Sequence, residues 1–242
     1  MARIGIIGSE GRMGKALVEA IAAASESHSG GVDMGGDPLA LARASDVLLD
    51  FSSPRALEAN LDAAMAAGVP IVVGTTGLEE RHHWLCDAAA EHIAVLQTGN
   101  TSLGVTLMAH LVREAASRLG EDWDIEIVET HHRRKVDAPS GTALLLGESA
   151  ARGRGIQLSN HSERGRDGLT GAREPGAIGF AALRGGSVAG DHQVILATEG
   201  ERIELGHRAE NRTIFARGAI KAAAWLRDQP VGRYDMKAVL GL

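Results

Sequence analysis

The chain has 242 residues, enough for one large domain or two small ones with an ample core. A net charge of −6 and an aromatic content of 3% argue against a nucleic-acid binder and suit a soluble enzyme. The single cysteine, Cys86, excludes an internal disulfide, and no apolar run reaches the ~20 residues of a membrane span or looks like a signal peptide. The expectation is a cytoplasmic protein with neither membrane nor nucleic-acid partner.

Arg3, Ile4, Gly5, Ile6 and Ile7 make a short, almost wholly apolar run, as a buried parallel strand does. Gly8, Ser9, Glu10, Gly11, Arg12, Met13 and Gly14 follow, and residues 15–24 are alanine-rich with helical spacing at Leu17, Val18 and Ile21. Strand, glycine turn and helix form a dinucleotide-binding opening. Gly8 permits the tight turn, Gly11 lets backbone approach a pyrophosphate, and Gly14 permits close helix packing. The spacing is GxxGxxG rather than GxGxxG, so a glycine turn that serves packing alone is the alternative. An acidic residue that binds the adenosine ribose belongs after the second strand. Asp33 is the candidate, against an ordinary loop aspartate. Residues 45–51 read as the next strand, and Ser52, Ser53 and Pro54 cap a helix that runs to about Ala67 and stops at Gly68. Residues 69–73 are another buried strand, ending in Gly74, Thr75, Thr76 and Gly77, a second turn where cofactor can lie against backbone. Residues 78–92 read as a helix with His82, His83 and Cys86 on or near its surface and without a role. Residues 94–96 are a strand leading to Thr98, Gly99, Asn100, Thr101 and Ser102. Alternating strands and helices of this kind form a right-handed, parallel, doubly wound unit.

The pattern changes near residue 102. Residues 103–119 are a long amphipathic helix, and residues 124–128 alternate polar and apolar as a half-buried strand does. That strand delivers His131 and His132 to its C-terminal end. Pro139 keeps Ala138 extended, Ser140 is a good N-cap, and a helix follows from Thr142 to Arg152. Backbone N–H groups near Gly141 and Thr142 then form an anion site at the positive end of the helix dipole. Histidine trades protons near neutral pH, and Lys135 offers a compact ammonium. The segment reads as a site for a small dianion that receives a proton. The competing readings are a solvated basic loop and a structural histidine pair. The spacing argues against zinc, because no second Cys/His pair stands at ligand spacing and the only cysteine is distant. Residues 160–173, polar, basic and glycine-rich, are either a mobile loop over an active site or a connector. Residues 178–183, 193–198 and 202–207 read as strands, the last two joined by a hairpin at Glu199 and Gly200. Residues 213–227 are the closing helix.

Glu129-x-His131-His132-x-x-Lys135-x-Asp137-x-Pro139-Ser140-Gly141-Thr142-Ala143 resembles the signature of the bacterial dihydrodipicolinate reductase family, also called the 4-hydroxy-tetrahydrodipicolinate reductase family. Gly11 to Gly14 and the tetrad at 74–77 are similar to that family too. The resemblance covers nearly the whole chain. It implies an α/β fold: an N-terminal doubly wound parallel sheet, Rossmann-like, in residues 1–101 with 212–242, and an α+β substrate-binding and oligomerisation domain with an open mixed sheet in residues 102–211. It implies reduction of 4-hydroxy-2,3,4,5-tetrahydrodipicolinate to tetrahydrodipicolinate on the diaminopimelate route to lysine, in a homotetramer. His131 would be the general acid/base and Lys135 a proton donor, with His132, Ser140, Gly141 and Thr142 on the dicarboxylate substrate. Gly8, Ser9, Glu10, Gly11, Arg12, Met13, Asp33, Phe51, Gly74, Thr75, Thr76, Thr98, Gly99, Asn100 and Thr101 would hold the cofactor. Thr98 and Gly99 depart from the family's usual Ala-Pro. Met34 stands where a basic residue would take a 2′-phosphate, although Arg43 is another candidate for that place, so NADH is expected over NADPH. The alternatives are another two-domain NAD(P) oxidoreductase acting on a small amino or dicarboxylic acid, and a nicotinamide-binding redox sensor without turnover.

Overall fold

The computed structural model describes residues 1–242, and they fall into two compact units, Met1–Leu103 with Thr213–Leu242 and Gly104–Arg212.

The first unit is laid down strand by strand. β1 (Arg3–Ile7) is buried along all but its first residue and leads through the glycine turn into α1 (Arg12–Ala23). Leu17 and Ile21 of α1 face the core, whereas Val18, expected beside them, is 37% exposed. β2 (Ser27–Val32) has almost no apolar residues and exists by pairing in parallel with β1. α2 (Pro38–Ala44), which periodicity did not announce, starts at an Asp–Pro step, where the Asp37 carboxylate accepts from the N–H groups of Leu39 and Ala40. β3 (Val47–Asp50), α3 (Leu57–Ala67), β4 (Ile71–Val73), α4 (Glu80–Ala89) and β5 (Ala94–Gln97) continue the alternation. Gly68, at φ 67°, ends α3.

Two expectations for α4 are corrected. His82 and Cys86 are buried, not at the surface. The His82 ring accepts from the Glu79 N–H in a reciprocal cap, and Cys86 packs among Leu57, Leu61, Ile71 and Val95.

The second unit begins within α5 (Leu103–Arg118). β6 (Asp124–His131) alternates along its whole length, and α6 (Gly141–Arg154) follows the signature loop. α7 (Leu158–His161), β7 (Ser162–Glu163), β8 (Ile178–Arg184), β9 (Asp191–Thr198) and β10 (Glu201–Arg208) complete it. The sheet runs β10-β9-β6-β8-β7 and is mixed: β6 pairs in parallel with β8 and antiparallel with β9. One face, Ile125, Ile127, Phe180, Val194 and Leu196, packs on Val112 of α5 and Leu146 of α6. The polar stretch 160–173 is tied to the sheet rather than loose. Arg166 pairs with Glu126 and Glu163, and Arg173 pairs with Asp124 and Glu126.

α8 (Thr213–Leu226) belongs to the first unit, where it packs beside α1. β11 (Gly232–Tyr234) then adds an edge strand to β5, and α9 (Met236–Leu240) starts at Asp235. The six strands, ordered β11-β5-β4-β3-β1-β2, are all parallel, with α1 and α8 on one face and α2, α3 and α4 on the other. From β1 the chain goes outward to β2 and then crosses back to β3. The C-terminal ends of β1 and β3 therefore flank the switch point, where ligands of doubly wound sheets bind.

Candidate active site

At that switch point, Gly8 has φ 88°, a conformation that favours glycine. A Cβ on Gly14 would sit 2.3 Å from the Gly8 carbonyl oxygen, so helix and turn touch backbone to backbone. Gly11 caps α1 without a side chain, and the first turn carries no acidic residue. The positive end of the α1 dipole is thus left for an anion, as a pyrophosphate site requires. Ser9 Oγ and the Glu10 N–H both donate to Asp33 Oδ2, at 2.7 and 3.0 Å, which holds the exposed carboxylate at the end of β2 over the turn. Arg12 is exposed and Met13 half-buried, and Met34 projects fully into solvent.

The last residue of β3 is a buried carboxylate. Asp50 accepts from the Ser52 N–H and Oγ, from Asn60 Nδ2 and from Thr75 Oγ1 at 2.6–3.1 Å, binding the ends of the two strands together. The Ser52 hydroxyl therefore serves Asp50 rather than a helix start. The Thr75 hydroxyl is likewise spent: it donates to Asp50 and accepts from the Ser52 N–H. Phe51 packs its ring against Gly74, and Thr76 is exposed beside it. After β5, Thr98 Oγ1 bonds the Asn100 backbone, Asn100 Oδ1 accepts from the Ser102 N–H, and Thr101 Oγ1 donates to the Phe215 carbonyl. Gly99 is exposed, and a Cβ there would meet nothing. The hydroxyls of Thr75, Thr98 and Thr101 thus shape the loops from inside. The glycine cradle, the uncapped helix and the acid after β2 fit a dinucleotide.

The second unit carries the ionisable cluster of the signature loop. Alternation along β6 turns Glu129 and His131 to the same face, and Glu129 is 1% exposed. Glu129 Oε2 accepts from His131 Nδ1 at 2.6 Å, and Oε1 accepts from the Ser140 N–H at 3.1 Å. Arg184 grips the same carboxylate with both Nη atoms, at 2.8 and 2.9 Å. Burial opposes the charge on Glu129. The Arg184 and His131 donors outweigh it and hold the carboxyl below its usual range. A carboxylate can only accept, so His131 carries hydrogen on Nδ1 and presents Nε2 for exchange.

His192, opposite Glu129 in the β6–β9 register, stands edge-on to His131 with ring centroids 5.1 Å apart. Its Nε2 lies 3.0 Å from Ser140 Oγ. Burial, and then the neighbouring His131, push its pKa down to about 4, so it is neutral near pH 7. The side chain of Ser140, expected on the substrate, is engaged within the protein. The buried hydroxyl accepts from the Ala143 N–H and pairs with His192, forming the cap of α6. Gly141, next in the chain, is exposed at the helix start, and Thr142 is half-buried beside it. Lys135 Nζ pairs with Asp137 at 2.9 Å. His132 Nε2 accepts from Arg212 Nη2 at 3.0 Å, and desolvation together with that guanidinium lowers its pKa.

The motif thus brings His131, His132, Lys135 and Gly141 onto one end of a sheet. Arg184, His192 and Arg212 were missed. Strand pairing brings Arg184 to Glu129 from 55 residues away, and His192 to Ser140 from 52, and no motif spacing encodes that register.

A parallel sheet with a dinucleotide cradle, and a second unit with a carboxylate-oriented imidazole beside a capped helix start, define a two-domain nucleotide-dependent oxidoreductase. A family model described as "Dihydrodipicolinate reductase, N-terminus" matches residues 2–101, and one described as "Dihydrodipicolinate reductase, C-terminus" matches residues 104–240. A 4-hydroxy-tetrahydrodipicolinate reductase of Zymomonas mobilis is 58% identical over 99% of this chain and 97% of its own. One from Methylocella silvestris is 50% identical over 99% and 97%. The structure of a dipicolinate-bound dihydrodipicolinate reductase from Paenisporosarcina sp. TG-14 has the same fold at TM-score 0.78 and 24% identity, covering 97% of each chain. The chain belongs to the dihydrodipicolinate reductase family.

Proposed function

We propose that this chain reduces 4-hydroxy-2,3,4,5-tetrahydrodipicolinate to tetrahydrodipicolinate with loss of water, in the diaminopimelate route to lysine. The cofactor, held on the Gly8–Gly14 cradle with Asp33 toward the adenosine ribose, supplies the hydride when bound. The rest falls to the chain's own groups. His131, with its Nδ1–H held by Glu129, gives the Nε2 proton as the imidazolium to the atom beside the carbon that receives hydride, and is left as the neutral Nδ1–H imidazole. Lys135, steadied by Asp137, is a second proton donor and a charge for a carboxylate. The N-terminus of α6 at Gly141 and Thr142 holds one carboxylate, and His132 binds substrate beside Arg212. The dipicolinate carried by the Paenisporosarcina relative, a ring with two carboxylates, supports a substrate of that charge.

The carrying observation is the Glu129–His131 hydrogen bond of 2.6 Å, a buried carboxylate dictating one imidazole tautomer. His131→Gln should lower kcat by about 10²–10⁴-fold while leaving NADH affinity near wild type. Near-normal turnover would remove His131 from the mechanism.

NADH is the preferred reductant in this reading. Met34 is wholly exposed and offers no charge to a 2′-phosphate. Comparing kcat/KM for NADH and NADPH tests this, and a strong NADPH preference refutes it. The protein works in the cytoplasm as a homotetramer, which light scattering of the purified chain would check.

A further inference from the structure

Arg184 ends β8 directly beside His131 in the parallel register with β6. Its Nη1 donates to Glu129 Oε2 and the Leu183 carbonyl, and its Nη2 to Glu129 Oε1 and the Asp137 carbonyl, all at 2.6–2.9 Å. Each oxygen of Glu129 therefore takes two donors: His131 and Arg184 on one, Ser140 and Arg184 on the other. A buried carboxylate so occupied has no place for a proton. The same guanidinium holds the backbone of Asp137, whose carboxylate holds Lys135.

We propose that Arg184 is a positioning residue for the reduction, which acts through Glu129 to keep hydrogen on Nδ1 of His131 and Nε2 free to exchange. The inference rests on reading His131 as the acid/base. Without Arg184, Glu129 is a buried anion left with the Ser140 N–H and the imidazole, and only the imidazole can carry a compensating charge. The pair then holds its shared proton more tightly, because a nearby positive charge has gone. Where that proton settles on the carboxylate, Nδ1 becomes an acceptor, and the hydrogen left on Nε2 belongs to a neutral imidazole, a far weaker acid.

The other charged or titratable groups around the pair do not replace Arg184. His192 on β9 is buried and neutral, with His207 across from it on β10. Lys135 is paired with Asp137, and His132 faces Arg212 and Arg134.

The test is the pH profile of kcat at saturating NADH for wild type, R184Q, R184K, R184Q/E129Q and H131Q, with NADH affinity and melting temperature for each. In R184Q the basic limb should move to higher pH by about one unit or more, with kcat lowered and NADH affinity within twofold of wild type. R184K restores the charge and should return the limb to its wild-type position. Its kcat should recover in part, since one ammonium cannot reproduce the fork. R184Q/E129Q removes the stranded buried charge, so it should fold even where R184Q does not, and it should keep the low kcat. A wild-type limb in R184Q, an unrestored limb in R184K, or near wild-type kcat in the double variant would each overturn the proposal. Any of these with H131Q inactive sinks the role of Arg184 alone, whereas near-normal turnover in H131Q sinks the reading beneath it.

Discussion

The two nitrogens of His131 do different work because Glu129 has claimed one of them. Glu129→Gln should therefore fold and bind NADH yet lose kcat by about 10²–10⁴-fold, since an amide can present its NH₂ to Nδ1 and turn the tautomer over. An unchanged kcat would contradict the assignment. His192 leaves a mark on stability instead. Its folded pKa of about 4 lies below its ordinary 6.5, so the unfolded chain binds the proton first and stability falls as pH drops from about 6.5 toward 4. Between pH 6.5 and 5 that one residue contributes a loss of roughly 1.5 kcal/mol. His192→Asn should flatten this part of the curve, read as a smaller difference in melting temperature between pH 7 and pH 5. An identical difference would place the acid sensitivity elsewhere. The sequence spelled out His131, His132, Lys135 and the helix start because they lie on one short run of chain. It could not reveal that Ser140 engages its hydroxyl inside the protein, since the partner, His192, arrives from another strand.

Among elements, what periodicity announces is apolar. β1, β3, β4 and β5 are buried runs, and α1, α5 and α8 carry clear apolar faces, so they were legible. β2, with serine, histidine and glycine, was placed only as a short strand before Asp33, and β11, three half-buried residues, draws its strand character from the free edge of β5, which sequence does not display. α2 did carry a signal in Asp37 and Pro38, but seven residues give too few turns for a period. His82 and Cys86 were misjudged because polarity and a lone thiol suggest a surface, while a cap and a core position had claims on them. The glycines make the sharpest element-scale test. A methyl on Gly218 of α8 would lie 1.8 Å from the Thr101 carbonyl oxygen, on the loop after β5. Gly218→Ala should cost about 1–3 kcal/mol of stability and weaken NADH binding through that loop. Gly99→Ala, where a methyl meets nothing, should do neither by this route. Equal melting temperatures for the two variants would contradict the packing described.

For the molecule as a whole, the proposed function divides between the two sheets: the doubly wound sheet has the glycine cradle, and the mixed sheet has the Glu129–His131 pair and the start of α6. Membership of the dihydrodipicolinate reductase family over both halves removes the alternative of a sensor without turnover. The most direct measurement follows NADH absorbance as the purified chain meets 4-hydroxy-tetrahydrodipicolinate made freshly by the preceding synthase, for wild type and His131→Gln side by side. The account predicts stoichiometric, substrate-dependent NADH oxidation by the wild type and a loss of about 10²–10⁴-fold in kcat for the variant, at unchanged NADH affinity. No oxidation by the wild type, or equal rates for both, would contradict it.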